Sequence, residues 1–183
     1  LVNPDSNGRF AINWKDSDES NKAQWKWDVT SLELQGGKGN SDRLQIFLRD
    51  KGECLLDDVE VEVILSPNNV NLLINSSFET GLNGWHLNGN HSNSRLSQNG
   101  YQGTKCLHLK SEGAGDILQN NITTFLDRTL DSNSMVTISA RVRWLAGNTN
   151  LVLRLGGNYA EFRVGINSGI LHGTPNEQNS AFI

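Results

Sequence analysis

Asp57 and Asp58 stand side by side in the run Glu53-Cys54-Leu55-Leu56-Asp57-Asp58-Val59, where they interrupt an apolar stretch. Adjacent carboxylates on a strand are hard oxygen donors of the kind calcium takes, and equally the mark of a solvated strand edge or turn. Paired acid catalysis is disfavoured, because it needs two carboxyl groups facing each other across a cleft. The cations gather further on, at Arg141, Arg143 and Arg154, with His108 and Lys110. Guanidinium groups pair bidentately with carboxylate or sulfate, so a surface carrying them can recognise an anionic sugar. Rings for stacking on neutral sugars are scarce, and Tyr101 and Tyr159, both in Gly/Asn-rich loops, are the candidates. Nothing combines a nucleophile, a base and oxyanion donors, so no enzyme is expected.

Other chemistries are excluded by spacing. The acidic run Asp16-Ser17-Asp18-Glu19-Ser20-Asn21 lacks the sixth-position Gly and twelfth-position Glu of an EF-hand loop and reads as a solvated loop. His86, His91, His108 and His172 have no zinc-ligand spacing. Cys54 and Cys106 each sit in an apolar run, which favours buried thiols over a disulfide. A formal net charge of -4 argues against nucleic acid as a partner. No apolar run approaches the roughly 18 residues of a membrane helix, so no membrane insertion is expected. The chain runs from Leu1 to an apolar Ala181-Phe182-Ile183 and is expected to be a segment of a longer protein.

The elements that must position these groups are strands. Met135 to Trp144 alternates, placing Ile138, Ala140, Val142 and Trp144 on one face and Thr137, Ser139, Arg141 and Arg143 on the other. Leu107 and Leu109 likewise oppose Cys106, His108 and Lys110, and Leu151, Leu153 and Leu155 oppose Val152 and Arg154. Trp25 and Trp27 share a face and are assigned to a core, as is Trp85. Arg43 to Leu48 and Glu53 to Val63, separated by Asp50-Lys51-Gly52, predict a hairpin. Thr124 to Arg128 reads as a turn of helix or a loop. Ser66-Pro67-Asn68-Asn69 carries the signals of a linker. The segment from Leu44 echoes that from Leu151, which suggests a repeated module.

Asn71 to Glu79, the turn to Gly84-Trp85, Gly100-Tyr101-Gln102-Gly103 with Leu107-His108-Leu109, and Arg141-Val142-Arg143-Trp144 resemble the carbohydrate-binding-module-like jelly rolls attached to cellulases and xylanases. Gly52 to Val59 looks like the closing strand of the same module. The order of motifs is also similar to large exported multidomain bacterial proteins with lamin-tail or spore-coat-kinase-like domains. The resemblance implies an all-β antiparallel β-sandwich, a jelly roll of galactose-binding-like type. It further implies a structural calcium held by Glu79 in one module and by Asp57 or Asp58 in the other.

The expected organisation is therefore the C-terminal part of a first sandwich at residues 1–66, a linker at 67–70, a complete jelly roll at 71–166 and a further linker at 167–183. The expected role is a non-catalytic spacer or adhesion unit, extracellular or at the cell surface, with neighbouring domains of the same chain as partners. The alternative is a module binding a polysaccharide, anionic in character, through Arg141, Arg143, Arg154, His108 and Tyr101.

Overall fold

The computed structural model describes residues 10–11, 15–16, 28–35, 40–63, 70–114, 119–131, 134–156, 161–165 and 180–181. Trp25, Trp27, Tyr159, residues 17–21 of the acidic run, residues 64–69, which hold most of the expected linker at 67–70, and residues 166–179 lie outside them. In chain order the strands are β1 (Phe10–Ala11), β2 (Lys15–Asp16), β3 (Asp28–Gln35), β4 (Ser41–Leu48), β5 (Gly52–Val63), β6 (Trp85–Leu87) and β7 (Arg95–Ser97). They continue with β8 (Cys106–Ser111), β9 (Ile122–Leu130), β10 (Met135–Gly147), β11 (Asn150–Gly156), β12 (Glu161–Gly165) and β13 (Ser180–Ala181). The first sheet has the order β2-β3-β10-β5-β8-β7 and the second β12-β11-β4-β9-β6, while β1 pairs with β13. Their ladders are antiparallel.

Period-two patterning decides what each strand buries. Val136, Ile138, Ala140 and Val142 of β10, Leu107 and Leu109 of β8, Leu44, Ile46 and Leu48 of β4, and Leu151, Leu153 and Leu155 of β11 enter one continuous core. Trp144 packs against it, and Trp85 is buried in it 4.9 Å from the Phe78 ring. This all-β sandwich and these face assignments agree with the sequence reading.

The connectivity differs from it in three places. β4 and β5 do not form a hairpin: β4 lies between β11 and β9 in the second sheet, and β5 between β10 and β8 in the first. Residues 49–51 cross from one sheet to the other beside the matching crossing from β10 to β11, joined by Arg49 N–H to Asn150 O at 3.0 Å and Asn148 N–H to Lys51 O at 2.9 Å. Gly147 has φ of 74°, and a Cβ there would lie 2.5 Å from the Lys51 carbonyl oxygen, so the paired crossings need a glycine. The echo between the segments from Leu44 and Leu151 is a real adjacency, since Leu44, Ile46 and Leu48 pair with Leu155, Leu153 and Leu151.

The second difference concerns the boundary at 67–70. Residues 41–63 supply inner strands to the same two sheets that residues 85–156 build, and a single hydrophobic cluster spans both. They complete this sandwich rather than close a separate preceding one, because Ile46, Leu56, Val59 and Val61 are fully buried only between strands from beyond residue 70. Third, Thr124 to Arg128 is neither helix nor loop but part of β9.

The Asp57-Asp58 interruption is a β-bulge. Between the pairs Ser139 with Glu60 and Arg141 with Asp57, one residue of β10 faces two of β5. Asp58 takes φ of 43° there, so Leu56 and Val59 both reach the core although they are three residues apart.

A single core predicts a single transition. Ile46→Ala and Leu107→Ala should each lower one shared cooperative urea transition by about 2–5 kcal/mol, the usual range for truncating a buried aliphatic side chain. Two separable transitions, with Ile46→Ala moving only one, would contradict the shared core.

Candidate functional site

The outward face of the second sheet carries a row of cross-strand neighbours. Arg154 pairs with Gln45, Gln45 with Thr123, and Thr123 with His86. Arg43 and Phe125 pair one step along and flank the row. Between them lies a groove of about 430 Å³ lined by Arg43, Gln45, His86, Asn88, Gln119, Thr123 and Phe125. Phe125 is 50 % exposed, one of the few large apolar side chains left in solvent among the described residues. The Arg43 guanidinium sits 5.4 Å from its ring centroid and His86 meets it edge-on at 6.0 Å.

Arg43 is held in place by Asp42, with Nε donating to Oδ1 at 2.7 Å and Nη2 to Oδ2 at 3.1 Å. That hydrogen bonding keeps the Asp42 carboxyl below and the Arg43 guanidinium above their ordinary ranges. The stem of Arg43 lies against Gly156, where a Cβ would come within 2.6 Å of Arg43 Cγ. Thr123 Oγ1 donates to Asn121 Oδ1 at 2.7 Å, and Arg154 lies 5.0 Å over the buried Phe47 ring. The groove thus combines one exposed ring with amide, hydroxyl and guanidinium groups, which suits a ligand with an apolar face and many hydroxyls.

The five residues expected to bind together do not share a surface. Arg154 belongs to the second-sheet row, whereas Arg141, Arg143 and His108 project from the first sheet. Tyr101 lies in the loop over that first sheet, its ring 4.4 Å from the Arg141 guanidinium. His108 Nε2 is 2.9 Å from Glu53 Oε2. Phe125 is not among the expected site residues, since Thr124 to Arg128 carries the pattern of a turn of helix or a loop, nor are Arg43 and Gln45, which fall before the expected boundary.

Asp57, Asp58 and Glu79 meet around the loop at residues 100–105. Asp57 is fully buried, accepting the Asp58 N–H on Oδ1 at 2.9 Å and the Tyr101 N–H on Oδ2 at 2.8 Å. Burial, with a lesser push from Asp58 and Glu79, raises its carboxyl to about 6. Burial also raises Asp58, against the pull of Arg141. Glu79 Oε1 accepts the N–H groups of Lys105 at 2.7 Å and Thr104 at 2.9 Å, and Oε2 accepts Thr104 Oγ1 at 3.1 Å. These bonds, the Lys105 N–H first, hold the Glu79 carboxyl below its ordinary range. The donors are all oxygen, as calcium requires. As arranged, though, the Asp57 and Glu79 oxygens serve N–H and O–H donors, and no group of three His, Cys, Asp or Glu among the described residues is placed to hold a metal ion. Cys54 and Cys106 are buried free thiols: Cys54 faces the core and Cys106 the small cluster outside it.

An all-β sandwich with a polar groove and an exposed ring on one sheet face defines a ligand-binding module. Residues 70–167, just over half of the 183, match the carbohydrate binding domain family CBM_4_9, and the chain belongs to that family. The family is non-catalytic, so the chain is a carbohydrate-binding module and not an enzyme. No curated protein and no solved structure matches the chain. No helix among the described residues is long and apolar enough to cross a membrane.

His91 gives the fold a pH dependence of its own. It is fully buried, its Nε2 accepting the Leu48 N–H at 3.0 Å, which leaves Nδ1–H to donate to Asn90 Oδ1 at 2.6 Å. Burial lowers its pKa to about 4. Between that value and an unfolded value near 6.5 the unfolded chain binds the extra proton, so this contribution to stability is complete above about 6.5 and lost as pH falls toward 4. Asp57 acts with the opposite sign, its contribution being largest at low pH and lost as pH rises from about 3.8 to about 6. Urea melts from pH 4 to 7 should show His91→Gln falling less steeply toward acid than the parent chain. An unchanged slope would contradict a neutral buried His91.

Proposed function

We propose that the chain binds a polysaccharide in the second-sheet groove, with one sugar face on Phe125 and its hydroxyls on Gln45, Thr123, Asn88 and Arg43. The single observation that carries this reading is the half-exposed Phe125 ring set among polar side chains on a sheet face. A spacer or adhesion role was favoured on the sequence for want of an aromatic platform. Phe125 supplies an exposed ring, so the binding reading now comes first, and presentation by a larger exported protein remains its natural setting. Carbohydrate-binding domains of this type typically work outside the cell, and we assign this one to the extracellular space or cell surface. Jelly-roll connectivity of galactose-binding-like type is part of the same reading.

Calcium at Asp57, Asp58 and Glu79 is a separate element of the proposal. Its support is the mutual influence of three carboxylates, one of them buried, around a single loop. A divalent cation would relieve that repulsion, and Glu79 would have to exchange its loop donors for it.

The groove is tested by affinity electrophoresis against neutral glucans, xylans and mannans. Phe125→Ala should weaken retardation by the bound polymer about tenfold, the effect of losing one stacking contact of roughly 1.4 kcal/mol. Retardation unchanged in Phe125→Ala and Gln45→Ala would remove the groove as the site. For the ion, Tm should rise in millimolar calcium, return to its starting value on chelation, and stop responding in Asp57→Asn. Identical melts with and without calcium would dismiss it.

A further inference from the structure

The outward face of the first sheet holds a second cleft, of about 320 Å³, far from the groove by being on the other side of the sandwich. Four adjacent strands contribute one row to it: Arg143 of β10 pairs with Leu55 of β5, Leu55 with His108 of β8, and His108 with Arg95 of β7. Strand spacing of about 4.8 Å puts the two arginine Cα atoms roughly 14 Å apart, with Leu55 and His108 between them. Leu96, Leu145, Ser97 and Asn99 complete a lining that is more polar than apolar.

The cations of this face differ in how they are compensated. Arg141 is drawn to Asp58 and stacks on Tyr101. His108 and Lys110 share Glu53, at 2.9 Å and 3.6 Å. Among the described residues Arg143 has no such acceptor. Its Nε is buried without a hydrogen-bond partner, and none of its nitrogens is bonded to a described residue. An Nε–H taken from water and left without an acceptor costs stability, which an oxyanion reaching it would offset. Arg95 is exposed at the other end of the row, with no ion pair among the described residues.

We propose that this cleft is a second binding site, taking the carboxylate or sulfate of an acidic sugar, with Arg143 gripping the oxyanion and Arg95 steering from the rim. The planar fork of Arg143 matches either group bidentately, and Ser97 and Asn99 offer hydrogen bonds to the hydroxyls of the ring that bears it. The site lies on the opposite sheet from the groove.

Affinity electrophoresis with polygalacturonate, dextran sulfate and unmodified dextran tests it. At least one acidic polymer should retard the chain, with the retardation weakening as salt is added. Arg143→Gln should weaken it about tenfold or more, and Arg143→Lys should not restore it, because an ammonium lacks the planar fork. Arg95→Gln, on the rim, should weaken it less. Arg128→Gln, an exposed cation on β9, should stay within about twofold. Retardation by polygalacturonate alone assigns a uronate, and by dextran sulfate alone a sulfate ester. If neither acidic polymer retards the chain, or if Arg143→Gln and Arg128→Gln fall equally, the proposal is overturned. Should Arg143→Gln lose its near-ultraviolet circular dichroism, a fall in Arg95→Gln beyond that in Arg128→Gln carries the proposal, and equal falls end it.

Discussion

Strand β5 is hydrogen-bonded on both edges, to β10 on one side and to β8 on the other, and the first sheet takes its register from it. Its bulge at Asp58 sets which of its side chains face inward. Were the strand to run through Asp57-Asp58 as a regular ladder, the sequence beyond would turn over, carrying Val59 and Val61 to solvent and Glu60 and Glu62 into the core. The crossing at residues 49–51 then fixes β4 in the opposite sheet, next to β11, because the chain turns there beside the crossing at Gly147. One strand pair thereby commits both layers. The groove inherits this: Arg43 and Gln45 stand opposite Phe125 and Thr123 only because β4 is seated between β11 and β9.

The two outward faces have different chemistry for a physical reason. On the second sheet, Arg43 is matched by Asp42 and Arg154 lies over Phe47, so the guanidinium groups act as hydrogen-bonding and stacking surfaces beside an exposed ring. On the first sheet, the loop at residues 98–105 folds over part of the face, ties Asp57 and Glu79 to its backbone, and shelters Arg141 under Tyr101. Arg143 is left beyond the reach of those carboxylates. Charge balance is therefore local, and a net charge of -4 for the chain says nothing about either cleft.

Side-chain direction was legible in the sequence wherever a strand alternates cleanly. Ile138, Ala140, Val142 and Trp144 against Arg141 and Arg143 needed only a period of two, as did Leu107 and Leu109 against His108. Partnership was not legible, because it is set between strands more than a hundred residues apart, as with Leu44 and Leu155. Alternation cannot say that β4 and β5, separated by three residues, join different sheets. It also broke down in β9, where Thr123 and Thr124 are both buried and Asp127-Arg128-Thr129 are all exposed, so Phe125 was read as part of a loop. The residues of the groove were each visible; what placed them together was non-local pairing. The family match covers residues 70–167 and so does not include β4 and β5.

The claim that strands from both sides of that boundary build one carbohydrate-binding face is tested most directly by amide NMR during titration with a hexasaccharide of whichever neutral polymer the chain retains. The account predicts that the shifts concentrate on Gln45 and its neighbours in β4 together with Thr123 and Phe125 of β9 and His86 of β6. Shifts confined to β9 and β6 with β4 silent, or clustered instead on the first-sheet face, would contradict it.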